Sequence, residues 1–161
     1  MASIRAATVD DAARINDIFN YYVNSTATFV ISPQTLDDRL VWLNARSQAH
    51  PVVVAEEDGV VVGWGSISAF RQRAAYSRTV EIGVYIHHDF HRRGIGRALV
   101  ADLMERATTI GHHVIVAGCC SESVGSIKLL EACEFSRVAH FREVGYKFDR
   151  WLDVLFYQRV L

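Results

Sequence analysis

Glu81, Arg92, Arg93, Gly94, Gly96 and Arg97 are the residues whose types and spacing most readily do chemistry. Glu81 is the one carboxylate in the run Thr79–Ile86, and the glycines and arginines follow in the run His91–Arg97. A positioned carboxylate can take a proton from a nucleophile, directly or through a water. Glycines at the mouth of a helix leave its first N–H groups pointing outward, and these groups, the helix dipole and nearby guanidinium charges suit a phosphate. One block therefore holds both an anion cradle and a candidate base. Each half has a plainer reading beside it. The glycines equally permit tight packing at a helix start. Glu81 equally serves as a half-exposed strand carboxylate paired with a loop arginine, an arrangement that stabilises little. The turn is not a phosphate loop of the Walker type, because no Lys-Ser/Thr follows the second glycine. It is a poor dinucleotide fingerprint, because Leu99 stands where a third glycine belongs.

The elements that carry these residues can be read from periodicity. Val80, Ile82, Val84 and Ile86 alternate with Thr79, Glu81, Gly83 and Tyr85, which predicts a strand with Glu81 on the face opposite the Val/Ile row. Ile95, Ala98, Leu99, Leu103, Ala107 and Ile110 form one stripe of a helix. Upstream, Ser3–Ala6 reads as a short strand. Ala12, Ile15, Ile18, Phe19, Tyr22 and Val23 keep helical spacing after a Thr8/Asp11 cap. Leu36, Leu40 and Leu43 do so after Thr35/Asp38. Thr26–Ile31 falls between these two helices and is expected as a loop or extended segment that walls a pocket with Phe29 and Val30. Val52–Glu57 and Val60–Phe70 flank Asp58-Gly59, a strong hairpin signal. Arg71–Arg78 is a polar connection. Downstream, Val114–Cys119 reads as a buried strand and Ser123–Glu131 as a helix with Ser123 as N-cap. Phe135–Phe141 and Leu152–Val160 read as strands joined by a connection over Arg142–Trp151. Residues 1–161 are expected to form one domain of α/β (α+β) class, its sheet covered on both faces.

Composition narrows the partners. The chain has 161 residues, half of them hydrophobic, and a formal charge of −1, so nothing draws it as a whole to nucleic acid or to an anionic membrane. No signal peptide and no membrane-length apolar run is visible. Three cysteines, Cys119, Cys120 and Cys133, make no disulfide framework and fit a reduced, cytoplasmic protein. His87, His88 and His91 flank a presumed turn without an acidic or thiolate partner at ligand spacing, so no metal site is expected. No Cys-His-Asn/Asp signature marks a thiol nucleophile. Phe29, Phe70, Tyr76 and Trp151 read first as core or wall, and Arg71, Arg73 and Arg78 as a solvated loop. A substrate carboxylate would give one of those arginines a reason to turn inward.

The block VEIGVYIHHDFHRRGIGRALV resembles motif A of the GNAT superfamily of acyl-CoA N-acyltransferases, a strand, a Q/R-x-x-G-x-G/A turn and a helix. TATF, AYxxTVExxVYI, SxxSIKLLEAxEF and GYKFDRWLDV are similar to the branch that acetylates phosphinothricin and methionine sulfoximine. The likeness runs along nearly the whole chain in the same order. It implies a central mixed, mostly antiparallel sheet with one splayed parallel strand pair and helices on both faces. It implies acetyl-CoA as co-substrate, a small amino-acid analogue as amine substrate, and a homodimer, to which the aromatic tail (Tyr146, Phe148, Trp151, Phe156, Tyr157) is suited. By the same resemblance Val84, Tyr85 and Ile86 pair with the pantetheine arm. The turn His91, Arg92, Arg93, Gly94, Ile95, Gly96 and Arg97 holds the diphosphate, with Ser123 and Ser126 as further cofactor contacts. Glu81 matches the general base, and Phe29, Arg71 and Tyr76 match the region that meets the amino acid.

The departures are specific. His91 stands where Gln or Arg is usual, Ser123 where Asn is usual and Glu134 where glycine is usual. Leu130 occupies the position where a Tyr or His is discussed as the acid for the departing thiolate, so the acid is unassigned. Other amines (a polyamine, an aminoglycoside, a protein N-terminus) and a non-catalytic acyl-CoA-binding role are the alternatives. A polycation calls for an acidic groove, and no acidic cluster falls near the pocket loops.

Overall fold

A computed structural model describes residues 1–161. Seven strands form one sheet in the order β1-β2-β3-β4-β5-β7-β6. They are β1 (Ser3–Ala6), β2 (Val52–Glu57), β3 (Val60–Ala69), β4 (Thr79–Ile86), β5 (Val114–Cys120), β6 (Ser136–Lys147) and β7 (Arg150–Val160). Four helices cover it: α1 (Ala12–Val23), α2 (Leu36–Asn44), α3 (Ile95–Ile110) and α4 (Val124–Ala132). Every neighbouring pair of strands is antiparallel except β4 and β5. This is the mixed, mostly antiparallel sheet expected.

Strand alternation distributes the core. In β2, Val53 and Ala55 face α3 with Val80, Leu99, Leu103 and Ile115. Val52 and Val54 turn to the other face and join Ile15, Ile18, Phe19 and Trp64 under α1. A strand buried on both faces is apolar at every step, which is why Val52–Ala55 reads as a continuous run. The stripe expected for α3 is buried at Ile95, Leu99, Leu103 and Ala107, the last three fully enclosed; Ala98 is half-buried, Ile110 at the helix end is exposed, and Val100 joins the buried face instead. Thr35 caps α2 as the sequence predicts. Its hydroxyl accepts from the Asp38 N–H at 3.1 Å, and Asp38 accepts from the Thr35 N–H at 3.2 Å. Asp58 and Gly59 turn the β2–β3 hairpin with φ of 50° and 78°, as a two-residue turn of primed type requires.

The C-terminal segment departs from the sequence reading. Arg142–Trp151 is no connection: β6 runs on to Lys147 and β7 begins at Arg150. Phe148 and Asp149, both at φ 56°, make the turn. Phe148 in the left-handed region gives no local sequence signal, and Asp149, of a type that tolerates it, gives only a weak one. The charges of Arg142 and Glu143 stand on an exposed edge strand where water solvates them. The register also slips between Phe141 and Gly145, which breaks the alternation a reader would look for.

Candidate active site

The site begins where two strands part. β4 and β5 pair only over Thr79↔Val114, Val80↔Ile115 and Glu81↔Val116. Beyond Glu81 the strands separate and a cleft of about 820 Å³ opens between them. Its walls are Ile82–Ile86 of β4, Ala117–Cys119 of β5, the start of α3, the inner face of α4, the end of α1 and the following residues Ser25–Ala27. The free edge of β4 is therefore one wall.

The orientation of that edge follows from register. His87 N–H donates to Val62 O at 2.8 Å, so the odd-numbered residues of β4 direct their backbone groups to β3. The N–H and C=O of Val84 and Ile86 then face the cleft. The Ile86 carbonyl bears this out, because it accepts from the Tyr22 hydroxyl, which reaches in from α1. The Tyr85 N–H is turned to β3, so of the neighbouring amides it is Val84's that faces the cleft.

The turn before α3 is built for an anion. Arg92 and Gly94 both have positive φ, 58° and 80°. A β-carbon at Gly94 would touch nothing, so glycine there serves the backbone conformation. The first helical bond of α3 is Ala98 N–H to Gly94 O at 3.0 Å. The N–H groups of Gly94, Ile95, Gly96 and Arg97 thus have no partner within the helix and open on the cleft, which these residues line. The packing reading of the second glycine holds too: a β-carbon at Gly96 would lie 3.1 Å from the Leu129 side chain of α4. The dipole, the free amides and the guanidinium groups of Arg92 and Arg97 suit a diphosphate. Arg93 does not join them. It pairs with Glu57 at 2.9 Å and stacks on Phe90. His91, exposed at the cleft mouth, sets its Nε2 2.6 Å from the Tyr22 hydroxyl and 3.3 Å from the Ile86 carbonyl oxygen.

Glu81 sits at the point of divergence, the last residue of β4 paired to β5. It has no salt bridge, contrary to the loop-arginine pairing that the sequence also allowed. Burial alone pushes its carboxyl above the ordinary range. It does not line the cleft itself; Gly83, two residues along on the same face, does. Its neighbour on that face, Tyr85, stacks on Trp64 with ring centroids 4.9 Å apart.

The remaining expected residues divide. Ser123 and Ser126 line the cleft. Ser123 is at the N-cap position of α4, but its side chain makes no capping bond. Leu130 lines the cleft too, and brings no proton donor. Phe29, Arg71 and Tyr76 lie outside this cleft. The Arg71 guanidinium lies over Phe70 at 5.1 Å and Tyr76 at 5.6 Å. Phe29 follows the cleft-lining residues Thr26 and Ala27 and packs on Gly145. Cys119 reaches the cleft, yet burial pushes its thiol and that of Cys133 up, away from thiolate. His87 and His88 do have an acidic companion, Asp89, with ligand atoms of all three within 4.8 Å on the surface. The sequence reading overlooked it. Tyr22 was also missed: on the α1 stripe it reads as core, and nothing local marks its hydroxyl for a carbonyl on β4.

The sequence pattern of the Acetyltransferase (GNAT) family matches residues 15–135. The chain belongs to this family. The GNAT protein described here is 41% identical over 159 residues to the L-amino acid N-acyltransferase MnaT of Escherichia coli (strain K12), covering 97% of this chain and 92% of that one. It is 40% identical to an L-methionine sulfoximine/L-methionine sulfone acetyltransferase of Salmonella typhimurium, with the same coverage. It superposes on the crystal structure of a GNAT superfamily phosphinothricin acetyltransferase from Sinorhizobium meliloti in complex with acetyl-CoA, with a TM-score of 0.94, 33% identity and coverage of 99% and 88%. The family, its relatives and the cleft together identify an acetyl-CoA-dependent N-acetyltransferase. The residues fit that co-substrate: free helix-start amides with Arg92 and Arg97 at one end of the cleft and the unpaired edge of β4 along it, with Glu81 at the last β4–β5 pair, behind the cleft wall. No helix is long and apolar enough to cross a membrane.

Proposed function

We propose that this protein transfers the acetyl group of acetyl-CoA to the α-amine of a small amino-acid analogue of the phosphinothricin, methionine sulfoximine or methionine sulfone type. The observation that carries this reading is the parting of β4 from β5 at Glu81. It joins a cradle for a diphosphate, a strand edge for an extended amide chain and one unpaired carboxylate. The names borne by the similar chains support the substrate class.

In this reading the chain's own groups take the steps as follows. The free amides of Gly94–Arg97, with Arg92 and Arg97, hold the diphosphate, and Ser123 and Ser126 border the arm. The Val84 N–H polarises the thioester carbonyl and stabilises the oxyanion that develops there. An α-ammonium cannot attack until it loses a proton. Glu81, directly or through a water, takes that proton, a contribution of about 10²–10⁴-fold. The amine nitrogen bonds to the acyl carbon, the C–S bond breaks, and the sulfur leaves as a thiolate that water protonates, since Leu130 cannot. Proximity of two bound reactants supplies much of the remaining acceleration. No acyl-enzyme is needed. Phe29, Arg71 and Tyr76 flank the acceptor, with Arg71 swinging from its stacked position to a substrate carboxylate. No metal takes part.

The partner is a second copy of this chain, and the compartment is the cytoplasm. Phe141, Val144, Tyr146, Phe148 and Trp151 stand 48–60% exposed on the β6–β7 hairpin at the sheet edge, a concentration of apolar surface that association would cover.

A thiol-release assay with acetyl-CoA tests the functional reading. Phosphinothricin, methionine sulfoximine and methionine sulfone should turn over, and spermidine, an aminoglycoside and an unblocked peptide should not. Preference for the latter group, or acetyl-CoA binding without turnover of any amine, would overturn it.

A further inference from the structure

The segment joining α1 to α2 forms part of the cleft wall through Ser25, Thr26 and Ala27 and then presents Phe29. It has no regular structure of its own from Ser25 to Ile31; the Ser25 and Thr28 hydroxyls accept from the Ala27 and Val30 N–H groups at 3.1 and 3.3 Å, and its place against the cleft depends further on what grips it from outside. That grip comes from β6. Of the residues in this edge strand, Gly145 and Lys147 alone are buried. Both are buried against the same segment. The Lys147 ammonium, on a residue only 6% exposed, donates to the Ser25 and Thr28 carbonyls, each at 2.8 Å. It forms no ion pair; besides the two carbonyls it meets the Phe148 ring, 5.1 Å away. Burying a cation without an anion is costly, and the two carbonyls are the acceptors that meet its charge, which ties the ammonium to the loop backbone. Gly145 makes room for the other contact. A β-carbon there would lie 2.2 Å from Cε2 and 2.8 Å from Cδ2 of Phe29. Its φ is not positive, so glycine is present for space: the Phe29 ring occupies the place a side chain would take.

We infer that Lys147 and Gly145 are positioning residues that set the acceptor side of the active site, Lys147 by fixing the backbone from Ser25 to Thr28 and Gly145 by seating the Phe29 ring. The inference rests on the proposed function in one respect, that the amine substrate lies beside Phe29. Neither residue touches the substrate. Together they decide where Phe29 stands, and hence the size and shape of amino acid admitted.

The test uses Gly145→Ala, Lys147→Met, Phe29→Ala and the double variant Gly145→Ala/Phe29→Ala. KM for L-methionine sulfone, KM for acetyl-CoA and kcat are measured by thiol release. Gly145→Ala and Lys147→Met should each raise the acceptor KM by about ten- to a hundredfold, as displacement of a positioning group by an ångström or so does. The acetyl-CoA KM should stay within about twofold, since the diphosphate end is untouched, and in the Phe29→Ala background the Gly145→Ala change should add less than about twofold because the two share one contact. A loss shared equally by both KM values would overturn the inference. So would an unmoved acceptor KM with only a lower melting temperature, or full additivity in the double variant. Should Lys147→Met fail to fold, the Gly145→Ala pair still decides. If the wild-type protein turns over no amino-acid analogue, the proposed function fails. If it does turn them over and the acceptor KM of both single variants is unmoved, only the present inference fails.

Discussion

Glu81→Gln separates a catalytic carboxylate from a structural one, because the two roles move stability and rate in opposite senses. The side chain is half-buried in β4 with no cation paired to it, and burial raises its pKa. Its charged form is thus disfavoured in the folded state relative to the unfolded chain. A carboxyl raised in this way favours folding most below its unfolded pKa, and that advantage is lost as pH rises through the folded value. At neutral pH the charge is therefore a net cost, and glutamine removes it while keeping the shape. The melting temperature should rise slightly, by a free energy below about 1 kcal/mol once solvent screening at a partly exposed site is allowed for. The rate should fall. Loss of a general base costs about 10²–10⁴-fold, or about 3–5.5 kcal/mol of transition-state stabilisation. Steady-state thiol release across pH reads this directly. In the wild-type protein kcat should fall on the acid side with an apparent pKa above that of an ordinary glutamate. In the variant that limb should vanish, and activity should partly recover at alkaline pH, where the free amine needs no base. A variant that is less stable and whose pH profile is unchanged would refute the assignment.

Other residues give independent tests. Arg92→Ala and Arg97→Ala should each weaken acetyl-CoA binding by about tenfold and flatten its salt dependence, while Arg93→Ala, whose guanidinium is engaged with Glu57, should not; calorimetry at two ionic strengths checks this. Glu134→Gly should stabilise the fold by up to about 1 kcal/mol in chemical denaturation, because Glu134 holds φ 62° after α4 and its surface pair with Arg159 is worth less than that strain. Trp151→Glu should give a monomer in sedimentation with the fold intact, and an unchanged mass would remove the hairpin from the interface.

Much of the fold could be read from local pattern, because its elements obey local rules. The alternation in Val80–Ile86, the stripe in α3 and the Asp58-Gly59 turn each carry their own signal. The β6–β7 hairpin did not, since Phe148 adopts left-handed backbone that its side chain does not advertise, Asp149 marks the turn only weakly, and the register slip between Phe141 and Gly145 breaks the alternation. In the site, the diphosphate turn was visible because glycines and arginines cluster there. Its division of labour was not: Arg93 is drawn off by Glu57, a residue on another hairpin. Tyr22 and Lys147 escaped notice for the same reason. Their partners lie far away in sequence, 64 residues for the Tyr22–Ile86 bond and 119 or more for those of Lys147. No periodicity can announce a side chain that reaches to another element's carbonyl.

The most direct measurement is a crystal structure of the protein with acetyl-CoA and a non-reactive analogue of methionine sulfone. The diphosphate should lie within hydrogen-bonding distance of the Gly94–Arg97 amides, the thioester carbonyl at the Val84 N–H, and the Glu81 carboxylate within one water of the acceptor nitrogen. A diphosphate bound elsewhere, or a Glu81 side chain directed away from both reactants, would contradict the account.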